Sequence, residues 1–185
     1  MSSDNSNQSN PKQPNQDRSN PKQTNTIIAD TGPLIALALT QTLSLTCEIL
    51  GNVIVPNTVY LEAMADLSRP GAKRILKSFE MKHFKVEQVS IDEKDQLMVN
   101  VLDQGEAEAI VLAKRNKSPV LMDERLGRKV AKQAGLSVIG TCGVFIALKK
   151  KGKIKAVAPL IDVLTNAGYR LSDNLIKQVK LMVGE

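Results

Sequence analysis

Four short apolar runs punctuate the chain: Ile-Ile-Ala at 27–29, Val-Ile-Val at 53–55, Pro-Val-Leu-Met at 119–122 and Leu-Ser-Val-Ile-Gly at 136–140. Runs so short, bounded by turn residues and rich in β-branched side chains, read as buried strands. Helical stretches of roughly ten to fifteen residues separate them, long enough to return the chain across a sheet and start the next strand parallel to the last. The expected class is α/β, a parallel sheet with helices on both faces.

The connecting segments carry their own signals. Pro33 opens a Leu- and Ala-rich helix expected to continue, with breaks, toward Leu50, and Pro56-Asn57-Thr58 starts another expected to reach about Leu67. Arg69-Pro70-Gly71 breaks the chain before a basic helix through about Ser78, and Phe-Lys-Val-Glu-Gln-Val at 84–89 reads as an edge strand. Helices are then expected near 92–100, from Asp103 to about Asn116 and from Glu124 to Ala134. Further helices follow the last strand, with breaks at Gly152 and Gly168.

Two units follow from composition. Residues 1–26 are Asn, Gln, Ser, Pro and Lys with almost nothing apolar, so they cannot offset their ordering entropy by burial and are expected to be disordered. Residues 27–185 hold one domain with a full core. Two cysteines in unrelated segments and no signal or membrane-length apolar run give the cytoplasm as the expected location.

Chemistry is concentrated at the strand ends. Asp30, Glu62, Glu106 and Asp123 each stand just past an apolar run or in the helix that follows, in I-A-D-T-G, V-Y-L-E, D-Q-G-E-A-E-A and L-M-D-E-R. Positions beyond the carboxyl ends of parallel strands share one crevice, so acids distant in sequence meet there. Like-charged carboxylates brought together repel unless a cation lies between them, and a hard divalent ion with oxygen ligands answers that need. Each acid also has a structural reading. Glu106 completes a capping box with Asp103, Glu62 profits from a helix dipole, and Asp123 caps the helix at Glu124. Asp30 is the hardest to assign to a cap, and four junctions each choosing an acid argues for a shared site.

Other catalytic schemes lack parts. The single histidine, His83, lies in the basic stretch M-K-H-F-K, no Ser or Cys has a base partner, and no glycine-rich phosphate loop is present. A phosphatase using Asp30 as nucleophile would want a second Asp two residues on, where Gly32 stands. The net charge of +6 is uneven: residues 149–185 carry eight basic against three acidic side chains, beginning with Lys149-Lys150-Lys151. Lys149 and Lys150, with Arg125 and Arg128 three apart on one helix, are candidate phosphate contacts for a nucleic acid. With three Phe, two Tyr and no Trp, base stacking has little to work with, so such a ligand would be held by its phosphates.

The order of the four acids on alternating strand and helix signals resembles the PIN domain superfamily of metal-dependent nucleases. More closely, V-P-N-T-V-Y-L-E, L-D-Q-G-E-A-E-A-I-V-L-A, L-M-D-E-R-L-G-R-K-V-A, K-K-K-G-K-I and A-G-Y-R-L-S resemble a prokaryotic PIN-like family of unassigned function, related to the nuclease toxins of toxin–antitoxin pairs. The resemblance implies a three-layer Rossmann-like sandwich and hydrolysis of RNA with Mg²⁺ or Mn²⁺ held by Asp30, Glu62, Glu106 and Asp123. PIN nucleases usually carry Asp where this chain has Glu106. RNA is the implied substrate, and a small antitoxin protein or a second copy of the chain the implied protein partner. The alternative is a non-catalytic PIN fold that binds RNA or another protein.

Deleting residues 1–25 is expected to leave the thermal midpoint within error of the full chain, because a tail without apolar content adds nothing to a core. Paired calorimetric scans check this.

Overall fold

The computed structural model of the protein describes residues 26–96 and 100–185; most of the expected polar tail and part of the expected helix near 92–100 lie outside these residues. The strands are β1 (Thr26–Ala29), β2 (Asn52–Pro56), β3 (Phe84–Glu87), β4 (Val120–Leu121) and β5 (Val138–Ile139), joined in one parallel sheet of order β3-β2-β1-β4-β5. Strand β1 is central, with Ile28 opposite Ile54 on one side and Val120 on the other. From β1 the chain builds outward through β2 to β3, then crosses back and builds outward through β4 to β5. Its direction of growth therefore reverses between β1 and β4, and open α/β sheets bind ligands beyond the strand ends at such a reversal.

The helices are α1 (Thr31–Leu39), α2 (Leu43–Leu50), α3 (Asn57–Met64), α4 (Ala72–Glu80), α5 (Gln104–Asn116), α6 (Arg125–Gln133), α7 (Thr141–Lys150), α8 (Ala158–Asn166) and α9 (Asp173–Val183). Alternation along the strands sorts them into layers. Ile27, Ala29, Val53, Val55 and Leu121 point to a large core with α1, α2, α4, α7, α8 and α9, centred on Leu34, Leu37, Ile75, Phe145 and Leu148. Ile28, Ile54, Val120 and Met122 point the other way, onto α5 and α6. This is the expected three-layer sandwich. Residues 105–113 of α5 are buried throughout, and alanines at 107, 109 and 113 let the helix lie close on the sheet. Two carboxylates, Glu106 and Glu108, are carried inside with it.

Several boundaries differ from expectation for local reasons. The stretch from 31 to 50 is two helices bent by 120°, because the Thr40 hydroxyl donates to the carbonyls of Ala36 and Leu37 and Gln41 takes a positive φ of 58°. Helix α3 stops at Met64, and the amide and hydroxyl of Ser68 donate to the Asp66 carboxylate in the turn that follows. Of the helix expected near 92–100, the 3-10 turn Glu93–Asp95 and the helical Gln96 are described, and residues 97–99 lie outside the described residues. The break at 69–71 is as expected, with Gly71 at φ 96° and open to no larger residue without strain. Among the described residues, no single helix is long and apolar enough to cross a membrane.

Tyr60, Phe79 and Phe84 form a ring cluster with centroids 4.9 to 6.4 Å apart, holding α3 and α4 to the β3 edge. Phe145 lies fully buried on the other side of the same layer. Phe145→Ala is expected to lower unfolding free energy by about 3–5 kcal/mol through lost transfer energy and a residual cavity. Urea unfolding followed by circular dichroism measures it.

Candidate functional site

Asp30 follows β1 directly. Its backbone amide donates to the carbonyl of Leu121 at 3.0 Å, which extends the β1–β4 pairing by one step and fixes the residue at the sheet reversal. The side chain holds the N-cap position of α1 yet makes no capping bond, and only 5% of the residue is exposed. Burial pushes the Asp30 carboxyl up to about 7; the Thr31 backbone amide works against this, and the charges of Glu106, Asp103 and Glu62 add to it.

Glu62 reaches the same place from α3. It stands in the last turn of that helix, where the dipole disfavours an acid, so helix stability does not explain it. The Thr31 hydroxyl donates to its Oε2 at 2.7 Å. Glycine at 105 makes room for it: a Cβ there would lie 3.0 and 3.2 Å from the two Glu62 oxygens.

Glu106 is locked by the expected capping box. Its amide donates to Asp103 Oδ1 at 2.8 Å, while its Oε2 accepts from the Asp103 amide at 3.4 Å. Oε1 faces Gly127, where a Cβ would come within 3.2 Å. Burial pushes this carboxyl up to about 7; the Asp103 charge adds to the rise, the Asp103 amide opposes it, and Glu124 and Glu62 contribute further.

Asp123 is held differently. It does not cap α6; Glu124 does, its Oε2 accepting from the amides of Leu126 and Gly127. Asp123 instead turns to α7, accepting from the Thr141 amide at 2.8 Å and its hydroxyl at 2.5 Å. The acids that most raise Asp30 and Glu106 do not include it. What joins the two sides is Tyr169, whose hydroxyl donates to the Gly32 carbonyl at 3.0 Å and whose pKa is pushed to about 12 by burial and then by Asp123 and Asp30.

Asp30, Glu62 and Glu106 thus gather with Asp103 and Glu124, and Asp123 flanks them across Tyr169. No ion pair among the described residues involves any of these acids. Among the described residues, no three His, Cys, Asp or Glu side chains stand close enough together to hold one ion as they are placed. The donor set is oxygen only, and its uncompensated negative charge suits a hard divalent cation.

The basic candidates are more scattered. Arg125 is exposed at the start of α6, while Arg128 turns inward, donating from Nη1 to the Met122 carbonyl at 2.8 Å. Lys149 pairs with Glu185 at 2.5 Å and Lys150 is exposed beside it. Both lysines close α7, about 12–13 Å along the helix from Thr141, so they lie toward the amino edge of the sheet and not beside the acids. Sequence reasoning left out Asp103 and Glu124 as members of the acidic group, and Thr31, Thr141 and Tyr169 as its tethers. Hydroxyl residues directly after a strand end, in D-T-G and G-T-C, are the signal that pointed to two of them.

The sequence from residue 26 to 185 matches the family DUF3368, described as a PIN domain. The chain belongs to the PIN domain superfamily. No curated protein matches it in sequence. Among solved structures it is similar to a PilT N-terminus domain protein from Sulfolobus solfataricus P2, at 14% identity and a TM-score of 0.44, over 64% of this chain and 89% of that one. It is also similar to a domain of a functionally unknown protein from Methanocaldococcus jannaschii DSM 2661, at 15% identity and a TM-score of 0.42, over 63% and 90%. PIN domains are in general metal-dependent nucleases that act on nucleic acid, and this chain carries their fold with an acidic group at the sheet reversal.

A carboxyl with a higher pKa in the folded chain than in the unfolded one binds its proton more tightly when folded. The stability it lends is complete below about pH 4 and is lost as pH rises toward 7, the value at both Asp30 and Glu106. In EDTA, the thermal midpoint is therefore expected to fall between pH 5 and pH 8. Asp30→Asn, having no charge to lose, is expected to flatten that fall and to melt above wild type at pH 8; parallel melts across the range decide it.

Proposed function

We propose that this PIN domain is a divalent-metal-dependent endoribonuclease and the toxin of a toxin–antitoxin pair. The observation that carries the reading is the pairing of Asp30 and Glu106, two buried carboxyls both raised to about 7 and surrounded by further acids with no basic partner. Carboxyls crowded in one crevice with no basic group among them repel until a cation is bound, which is what a divalent-metal site presents and a lone helix cap does not.

Asp30, Glu62, Glu106 and Asp123 would hold Mg²⁺ or Mn²⁺. Bound there, the ion would supply charge neutralisation and Lewis acidity toward a phosphodiester oxygen. The protein's own part is orientation. Thr31 aims Glu62, the Asp103 box aims Glu106, and Thr141 aims Asp123. Water is the expected nucleophile, leaving a 5′-phosphate and a 3′-hydroxyl, with Arg125 available to the developing charge. A small antitoxin protein is the proposed partner.

The rival is a PIN fold that binds RNA or a protein without cutting. The capping box favours it, since it gives Glu106 a structural role that needs no metal. Incubation with RNA separates the two. Wild type is expected to cleave only with Mn²⁺ or Mg²⁺, and Asp30→Asn and Asp123→Asn to lose cleavage while remaining folded. Mn²⁺ is also expected to raise the melting temperature of wild type more than that of Asp30→Asn, by mass action on a weakened site. Equal shifts in the two proteins together with no cleavage would favour the binding module.

A further inference from the structure

A cavity of about 590 Å³ opens beside Asp123, between the start of α7 and the segment that leads from α8 into α9. That volume falls within the roughly 300–1,000 Å³ typical of small-ligand sites. Its walls are of two kinds. Ile139, Leu164, Leu171 and Leu175 give an apolar side, with the Tyr169 ring among them. Cys142 adds to that side, because burial pushes its thiol up to about 11 and leaves it neutral. Charge enters through Asp123, Arg128 and Arg170 alone, and two arginines against one aspartate leave a single positive charge.

The two arginines are not equivalent. Arg128 is held in place: its Nη1 donates to the Met122 carbonyl, and it stands beside Asp123 over Gly140, where a Cβ would lie 2.8 Å from Arg128 Nη1 and 3.0 Å from Asp123 Oδ1. Arg170 is exposed and makes no hydrogen bond or ion pair among the described residues. Asp123 accepts from Thr141 with both oxygens and still has lone pairs for a hydroxyl donor. The cavity therefore offers one free guanidinium, one hydrogen-bond acceptor and an apolar wall, beside the acidic group.

We infer that this cavity is a nucleotide subsite for the RNA strand, in which Arg170 holds one phosphodiester, Asp123 accepts from a ribose hydroxyl and the wall of Tyr169, Leu171 and Leu175 covers the base. The assignment rests on the ribonuclease reading above for the identity of the strand. A phosphodiester carries the single negative charge that balances the cavity, and a planar guanidinium meets it by two parallel hydrogen bonds. Bare phosphate would leave the apolar wall uncovered, so a ligand with an apolar face fills the cavity better. Tyr169 belongs to the cavity and also bonds the turn after Asp30, so the strand is seated against the residue that spans the two groups of acids.

Calorimetric titration of the dinucleoside monophosphates UpU and ApA, with inorganic phosphate and uridine as controls, tests this. The protein carries Asp30→Asn and the buffer contains EDTA, so that binding is read without turnover. Either dinucleotide is expected to bind at least about tenfold more tightly than phosphate or uridine alone, since only it meets both the arginine and the wall. Arg170→Ala is expected to weaken it about tenfold or more, and Leu175→Ala about fivefold with phosphate unaffected. Unchanged melting temperatures show that both variants are folded. Absence of dinucleotide binding, or unaltered affinity in Arg170→Ala, overturns the subsite. If dinucleotide binding depends on Arg170 but wild type cleaves no RNA with any divalent ion, the nuclease reading fails and the subsite stands. If wild type cleaves and Arg170→Ala changes neither affinity nor cleavage, the subsite fails and the nuclease reading stands.

Discussion

The site depends on the pairing of β1 with β4. Two amides, those of Ile28 and Asp30, donate to the carbonyls of Pro119 and Leu121 at 3.1 and 3.0 Å, and they bring together segments some ninety positions apart in the chain. Without them Asp30 and Asp123 would not share an edge. Because β4 has only two residues, the pairing cannot stand alone. It is supported by β5 beyond it, through Val120 and Met122 donating to Ser137 and Ile139, and by the two cores that clamp the sheet from either side. A long-range pairing of this kind is entropically costly to form, and burial of Ile28, Val120, Leu121 and Met122 offsets that cost.

What the edge holds is a set of charges in mutual conflict. Burial and proximity raise Asp30 and Glu106, and the protein answers with hydrogen bonds, not with cations. Each tether has its own donor: Thr31 for Glu62, the Asp103 amide for Glu106, and the amide and hydroxyl of Thr141 for Asp123. Glycines at 105, 127 and 140 keep the space between carboxylates and helices clear, because a methyl group at any of them would press on a carboxylate oxygen within 3.2 Å. Structural and functional readings of these acids therefore coexist. Glu106 caps its helix and still presents Oε1 to the crevice.

Much of this was legible in the chain. Apolar runs a few residues long with helices between them dictate a parallel sheet, and the two faces of the sheet follow from the alternation of Ile27, Ile28 and Ala29 alone. The three-layer sandwich, the edge strand near 84 and the convergence of Asp30, Glu62 and Glu106 were all readable at that level. The capping partner at 124 was not, because Asp and Glu stand side by side and either could reach the first amides of α6. Nor was the position of the lysines: a count of charge along the chain carries no information on which edge of the sheet a helix ends at. The direction of α7, set by its departure from β5, decides that. Tyr169 was invisible as a site residue because its bond to Gly32 spans 137 positions and leaves no local pattern.

That direction of α7 has a counterpart in its neighbours. Helices α5 and α6 also end where the next strand begins, with Lys114, Arg115 and Lys132 in their last turns, as α7 ends with Lys149 and Lys150. At that rim Lys114 pairs with Asp95, Arg115 with Asp92 and Lys149 with Glu185, whereas the carboxylates gathered at the opposite rim have no ion-pair partner among the described residues. The two rims thus differ in pairing as well as in sign: bases at one are matched by acids, while acids at the other are held by hydrogen-bond donors. Salt, which screens charge beyond a Debye length of about 8 Å at physiological ionic strength, therefore acts on the two rims in opposite senses: it weakens the exposed pairs of one and relieves the repulsion of the other.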